Sequence, residues 1–313
     1  MNTLVKGILT TAAFSLCIAA MNPTKAQEQE EKTSWYNVPP AGYSSIGFTF
    51  NPISGKRAND MFKAGDFIGN AIAAQGASPA QMVILADPLI SVRFKHKMTE
   101  TTAFRVSLGF SGANFKYREY VRDDEDFMDD ALSTAQVEDM IHFSMNGGGV
   151  NLGLEFSGGR HNLQFTGGFG LIYSFGGGAM KFTYGNYMDN LNPVPTIMPI
   201  IGDTLMGRGT YYDINLAGAR PLHRYQVGLI HAFGLSLDVG MEWFFMENLS
   251  VGASLSIIPI IFAIQPETYT KYEGYSVKEK DVMTFTKKIS SGSRYTLYGT
   301  ENIGLMLSFN KYF

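Results

Sequence analysis

The sequence predicts an all-β chain: a single eight-stranded antiparallel transmembrane β-barrel with long loops on one side. Three observations predict it. Segments throughout the chain alternate apolar residues with small or polar ones at period two, the pattern of a two-faced strand. The links between those segments alternate strictly between turns of about five residues and stretches of dozens. The composition is rich in glycine and aromatics and poor in charge. It holds 34 Gly in 313 residues, 13% aromatic and 17% charged, against roughly 7% Gly and a quarter charged in average domains.

The N-terminus comes first. Lys6 precedes an apolar stretch, 7–20; a polar segment then leads to Thr24-Lys25-Ala26, followed by Gln27-Glu28-Gln29-Glu30. That is the layout of a secretory signal peptide, with a basic start, a short apolar run and a small residue at the cut. The expected organisation is a signal peptide over 1–26, a periplasmic N-terminal segment over 27–42 and the barrel over 43–313. Cys17, the single cysteine, lies inside the signal peptide, and Leu16 before it is the wrong type for a lipoprotein. The mature chain therefore has no disulfide framework. Past the N-terminus no apolar run approaches 18 residues, which excludes a helical membrane protein. The net charge of -3 gives no reason to expect nucleic acid as a partner.

The strands follow in order. The first sets Ile46, Phe48 and Phe50 against Ser45, Gly47 and Thr49; the second sets Ile90, Val92 and Phe94 against Ser91, Arg93 and Lys95. After a turn at 98–102, the third has Phe104, Val106, Leu108 and Phe110 against Arg105, Ser107 and Gly109. The fourth has Val150, Leu152, Leu154 and Phe156 against Asn151, Gly153 and Glu155, and a tight turn at 158–162 leads to the fifth, Leu163 to Tyr173. The sixth runs from Val227 to Trp243, with Asp238 and Glu242 on its polar face. A third short turn, 244–248, precedes the seventh, Leu249 to Ile257, and Ile303 to Phe309 forms the eighth.

The four remaining links, roughly 51–88, 117–141, 176–225 and 259–300, are long. Loops beyond 12–15 residues are uncommon in compact soluble domains. Short turns on one side and long loops on the other are the plan of a barrel in an outer membrane. A soluble sandwich would bury the continuous apolar faces; a barrel in lipid turns them outward and keeps the small, polar set inside. Two features select lipid. The polar faces hold isolated charges of both signs, which can pair across a narrow lumen. Phe94, Phe104, Phe156, Trp243 and Phe309 sit at the strand ends nearest the short turns, where an interfacial aromatic girdle belongs.

On these residues the chain resembles small Gram-negative outer-membrane β-barrels. The signal peptide, the eight alternating segments and the terminal Phe313 after Ile303-x-Leu305-x-Leu307-x-Phe309 carry the resemblance. OmpW-like and OmpX-like barrels and the membrane part of OmpA-like proteins are the nearest shapes, and no loop motif selects one family. The resemblance implies that Phe313 is read by the barrel-assembly machinery; Lys311 stands where another hydrophobe is usual. It covers the strands, about 80 residues at some ten per span, and not the loops. No domain is expected after Phe313, so the peptidoglycan-binding half of an OmpA-like protein is missing.

An eight-stranded barrel is just wide enough to be filled by side chains, which argues against a general diffusion porin. Arg93, Lys95, Arg105, Glu155, Asp238 and Glu242 are expected to form a satisfied polar cluster in the barrel interior. Nine acids crowd one long loop: Glu119, Asp123, Asp124, Glu125, Asp126, Asp129, Asp130, Glu138 and Asp139. The ordered spacing of a dedicated calcium loop is absent, and the stretch reads as solvated. His142-Phe143-Ser144-Met145-Asn146 resembles the His-x-Ser-Asn segment of outer-membrane phospholipases and lipid A deacylases, with His142 and Ser144 on one strand face. Met145 interrupts that motif. Glu155 has the wrong parity to orient His142 unless Gly147–Gly149 hides a bulge. The runs at 147–149 and 176–178 read as bulges or kinks at the upper rim, His231 as a rim residue. No cofactor or metal is expected.

Alternation stops at Leu255–Ile264, where both faces are apolar, and 194–201 adds a second apolar stretch. Ile258, Ile260, Phe262, Ile197 and Ile200 are the candidates for a hydrophobic mouth. The expectation is a non-enzymatic outer-membrane surface protein acting through its loops in binding, adhesion or envelope structure. Its partners are outer-membrane lipid and lipopolysaccharide, with a protein or small apolar ligand at the loops. The alternatives are a channel or carrier for small hydrophobic molecules and, remotely, a lipid hydrolase using His142 and Ser144.

Overall fold

A computed structural model of the chain describes residues 38–54, 90–199, 216–299 and 303–313. The expected signal peptide, residues 27–37 and Ile200 lie outside the described residues. The strands are β1 (Ser44–Ser54), β2 (Ile90–Lys97), β3 (Thr102–Arg122), β4 (Gln136–Arg160), β5 (Leu163–Thr183), β6 (Leu216–Gln226), β7 (Ile230–Met246), β8 (Leu249–Gln265), β9 (Thr268–Ser276), β10 (Asp281–Ser290), β11 (Ser293–Tyr298) and β12 (Ile303–Tyr312). A short helix, α1 (Asp124–Asp129), lies between β3 and β4.

The chain closes into a barrel. The ring runs β1-β2-β3-β4-β5-β7-β8-β12 and returns from β12 to β1, every pairing antiparallel. At the seam the Ser44 amide donates to the Phe313 carbonyl (3.0 Å) and the Phe313 amide to that of Ser44 (2.8 Å). Closure removes the free edges that an open sheet of this size would present. Each of the eight alternating segments read from the sequence is one of these ring strands. The sixth starts at Ile230 rather than Val227, because Gly228 takes a positive φ of 104° and breaks the strand there.

The two faces of the wall are inverted relative to a soluble core. Phe48 is 62% exposed on the outside, whereas Arg105 is 2% exposed within. Ile46, Phe104, Leu171, Leu237 and Phe309 share the outer face; Ser45, Thr49, Arg93 and Glu155 share the buried one. Small residues make room inside: a Cβ on Gly47 would stand 2.2 Å from the Asn310 side chain.

The long links differ from the expected loops, because most of their described length is sheet. β3, β4 and β5 continue beyond the barrel, and β6, β9 and β10 join them in a sheet ordered β10-β9-β6-β5-β4-β3. β5 pairs with β7 as far as Gly176 and with β6 from Ala179. The chain thus descends through β6, breaks at Gly228 and enters the wall as β7. β8 continues upward as β9 after Pro266, and β10 returns through Gly292 (φ 90°) into β11. The Val227 amide donates to the Glu267 carbonyl (2.9 Å), which ties two of these breaks together.

The glycine runs do not hold bulges. Register is unbroken from Thr102↔Phe156 to Arg122↔Gln136 and from Arg160↔Leu163 to Met140↔Thr183. Gly147 pairs with Gly176, so the runs form one transverse glycine row where the barrel passes into the extension. A bulge lies instead in β8. Ile257 pairs with Leu237 and Ile260 with Leu235, so Ile258 and Pro259 together oppose Ser236. Proline, lacking an amide donor, belongs at such a position.

Candidate functional site

The barrel interior near the short turns is a closed charge network. Neighbouring registers bring Lys95 opposite Arg105 and Gly168 opposite Asp238, and period two aims the long side chains of one parity at the axis. Lys95 Nζ donates to Glu155 Oε1 (2.6 Å) and Glu242 Oε2 (3.0 Å). Arg105 bridges Glu155 (3.5 Å) and Asp238. Ser250, Asn310 and Tyr312 all donate to Glu242 Oε1, the last two at 2.9 Å. Arg93 reaches Ser107 Oγ (3.4 Å) and Met306. Three cations thus face three carboxylates, all buried.

All six polar residues expected inside are therefore brought together. Four further members, Lys97, Ser250, Asn310 and Tyr312, share the inward parity of their strands and were legible by that rule alone. Lys97 Nζ donates to the Pro39 carbonyl (2.6 Å), which seats residues ahead of β1 against the short-turn end. The space left within the network is a cavity of ≈ 20 Å³, and a second above it has ≈ 40 Å³. Each accommodates a water or two rather than a solute.

Above the charges the interior turns apolar, with Ile172, Ile230, Ala232, Ile258, Ile261 and Ala263 packed together. The bulge explains their placement. It lets Ile258 and Ile261 both point inward and sends Ile260 and Phe262 to the outer wall. Of the four described candidates for a hydrophobic mouth, only Ile258 lines the interior. Ile197 packs against the core of the extension instead.

That core is built on the inward parity of the same strands, from Ile141, Phe143, Met145, Met180 and Phe182. The segment after β5 covers it, with Met198 fully buried. Two acids of the supposed solvated stretch hold this cover. Asp124 accepts from the Thr196 amide (2.6 Å), Thr196 Oγ1 (2.7 Å), Asn192 Nδ2 (3.0 Å) and Arg122. Asp139 accepts from the Gly185 and Met198 amides, both at 2.9 Å. Burial opposes ionisation of Asp124, but its hydrogen bonds prevail and hold the carboxyl below its ordinary value. Asp123 caps α1 by accepting from the Glu125 and Asp126 amides. Among the described residues no group of His, Cys, Asp and Glu forms a metal site.

His142 and Ser144 share the outer face, but the imidazole Nε2 is hydrogen-bonded to Asn114 Oδ1 (2.9 Å). With no bulge between them, Glu155 points into the lumen and Ser144 away from it. Glu155 therefore does not orient His142; the side chain that bonds its imidazole is Asn114. His231 lies at the rim, its Nδ1 2.9 Å from Tyr173 Oη.

No protein-family model matches the sequence, and no curated protein matches it. Among solved structures the chain is similar to the outer membrane protein OprG from Pseudomonas aeruginosa. The identity is 10%, the TM-score 0.32, and the match covers 88% of this chain and 97% of that one. It is also similar to a major outer membrane protein from Thermus thermophilus, at 11% identity and a TM-score of 0.31 over 87% of this chain and 98% of that one. The eight-strand barrel of the present chain rests on its own strand pairings, independently of either neighbour.

Proposed function

We propose that the chain is an integral outer-membrane β-barrel, non-enzymatic, closed to bulk solute, and active through the sheet that stands above the membrane. The observation that supports this is the inverted wall: a continuous apolar exterior around a buried interior of three cations and three carboxylates. In water such a wall would expose far more contiguous apolar surface than soluble monomers do. In lipid it is the expected arrangement. The barrel's partners are then outer-membrane lipid and lipopolysaccharide, with the barrel-assembly machinery reading Phe313, and the signal peptide delivers the chain. The extension offers the surface for binding, adhesion or envelope structure.

Reconstitution of the chain into vesicles tests this. The expected result is insertion with no discrete conductance steps. Stable stepwise conductance would overturn the closed wall, and failure to float with vesicles would overturn the membrane assignment.

A second reading is favoured by the apolar band around Ile172, Ile230, Ile258 and Ile261. It is a carrier that admits small hydrophobic molecules at the upper barrel. Uptake of an apolar fluorescent probe by vesicles, lost in Ile261→Asp, supports it; uptake unchanged in that variant sinks it.

A further inference from the structure

Five strands of the extension bring their basic residues into one transverse row. The registers pair Lys116 of β3 with His142 of β4, His142 with Lys181 of β5, Lys181 with His223 of β6, and His223 with Lys271 of β9. β3, β4 and β5 cross the glycine row without a register shift, so their members lie on the face that continues the apolar outer wall. With strands about 4.8 Å apart, four spacings give a row roughly 19 Å long. The three lysines are exposed and the two histidines half-buried.

Among the described residues none of these lysines is in an ion pair. The neighbouring carboxylates are engaged elsewhere: Glu138 with Arg118 (3.6 Å), Glu273 with Arg220 (2.6 Å) and Glu267 with Lys288. The His223 ring stacks on Tyr225 at 5.1 Å. Burial, then the charges of Lys181 and Lys271, hold the His223 imidazole below its ordinary value. The row is thus three fixed ammonium groups at alternate strands. Unbalanced like charge across a sheet is destabilising, which leaves a site for an anion on this face.

Height selects the anion. The row lies four residues beyond Gly112 and Gly177, about 13 Å along the strand and about 10 Å along the axis at a tilt of ~40°. The headgroup zone adds some 5–8 Å to each side of the hydrocarbon core, and lysine stems can reach back toward it. We propose that Lys116, Lys181 and Lys271 form a binding strip for the phosphates of anionic lipid headgroups in the outer leaflet. The inference rests on the membrane assignment above.

The test reconstitutes the full chain with diphosphorylated lipid A in phosphatidylcholine vesicles, then measures the lipid A retained after extraction into a neutral detergent. The parent is expected to retain it. K116Q/K181Q/K271Q is expected to weaken retention by roughly fivefold for each lysine removed. The control K278Q/K280Q, at the exposed turn between β9 and β10, is expected to leave retention unchanged. Equal retention by parent and triple variant overturns the proposal, as does an equal loss in the control. Pyrophosphate binding in neutral detergent as tightly as lipid A overturns the lipid source. If the triple variant does not fold, the single variants K116Q and K271Q carry the same comparison. Flotation keeps the two readings apart: a chain that never enters vesicles fails the membrane assignment, whereas one that enters but ignores lipid A fails only this inference.

Discussion

Strands β3, β4 and β5 cross two environments, and their lower and upper halves obey opposite rules with the same backbone. Below the glycine row the inward parity of β4 holds Glu155 and Asn151 while Leu152 faces out; above it, Met145, Phe143 and Ile141 face in while Ser144 and His142 face out. β5 repeats the reversal, from an outward Leu171 to an inward Phe182 and an outward Lys181. Period and register do not change between the halves; only the sign of the amphipathicity does. On the membrane assignment proposed above, the height at which polarity inverts at fixed parity is where the surroundings change from lipid to water.

The largest effect expected is in the lower half. Lys95→Met leaves Glu155 and Glu242 buried without their shared cation, at a cost of roughly 3–5 kcal/mol. Lys116→Met, on the upper outer face, should stay within about 0.5 kcal/mol. Urea unfolding from vesicles, followed by tryptophan fluorescence, separates them; equal effects would remove the distinction between the halves. In the upper half, Phe143→Ala opens a cavity in the extension core and should cost about 3–5 kcal/mol locally. Hydrogen exchange should then accelerate in the upper part of β4 and over 184–199 while the wall amides remain protected. Exchange that accelerates throughout would mean the two halves unfold as one.

The boundary itself can be probed along one strand. Leu171→Arg places a charge in mid-wall and should cost about 2–4 kcal/mol, whereas Ala179→Arg, of the same parity above the glycine row, should be nearly neutral. Similar costs at both positions would move the boundary upward. The smallest of the destabilising effects belongs to the cover of the extension. Asp124→Asn should cost roughly 1–3 kcal/mol. Because the Asp124 carboxyl sits below its ordinary value near 3.8, its contribution is present above that pH and lost as the pH falls through the lowered value. Protease cleavage within 184–199 should therefore increase only on acidification below about 3.8 in the parent, and already at neutral pH in the variant. Cleavage at one rate across that range would sink the role given to Asp124.

Much of this was legible in the residues. The reversed alternation Ile141/Phe143/Met145 against His142/Ser144 continues the β4 pattern across Gly147–Gly149, although in the sequence His142 and Ser144 stand out only for their resemblance to a hydrolase segment. The acidic stretch concealed Asp124 and Asp139 because nothing local distinguishes them from the seven solvated-looking acids beside them. Ile258 and Ile260 have the same parity in the sequence, and only the extra residue at Pro259 separates them into inside and outside.

By itself the sequence determined the eight wall strands, their short turns and which parity is apolar, since period two and turn chemistry act over a few neighbouring residues. Tertiary structure alone decided that Lys95 meets Glu155 and Glu242, 60 and 147 positions away. It also decided that the supposed loops extend the sheet, and that Lys116, Lys181 and Lys271 share one row. Those outcomes depend on which strands become neighbours and in what register. Register is a property of pairs of strands, fixed when the ring closes, and no single segment contains it.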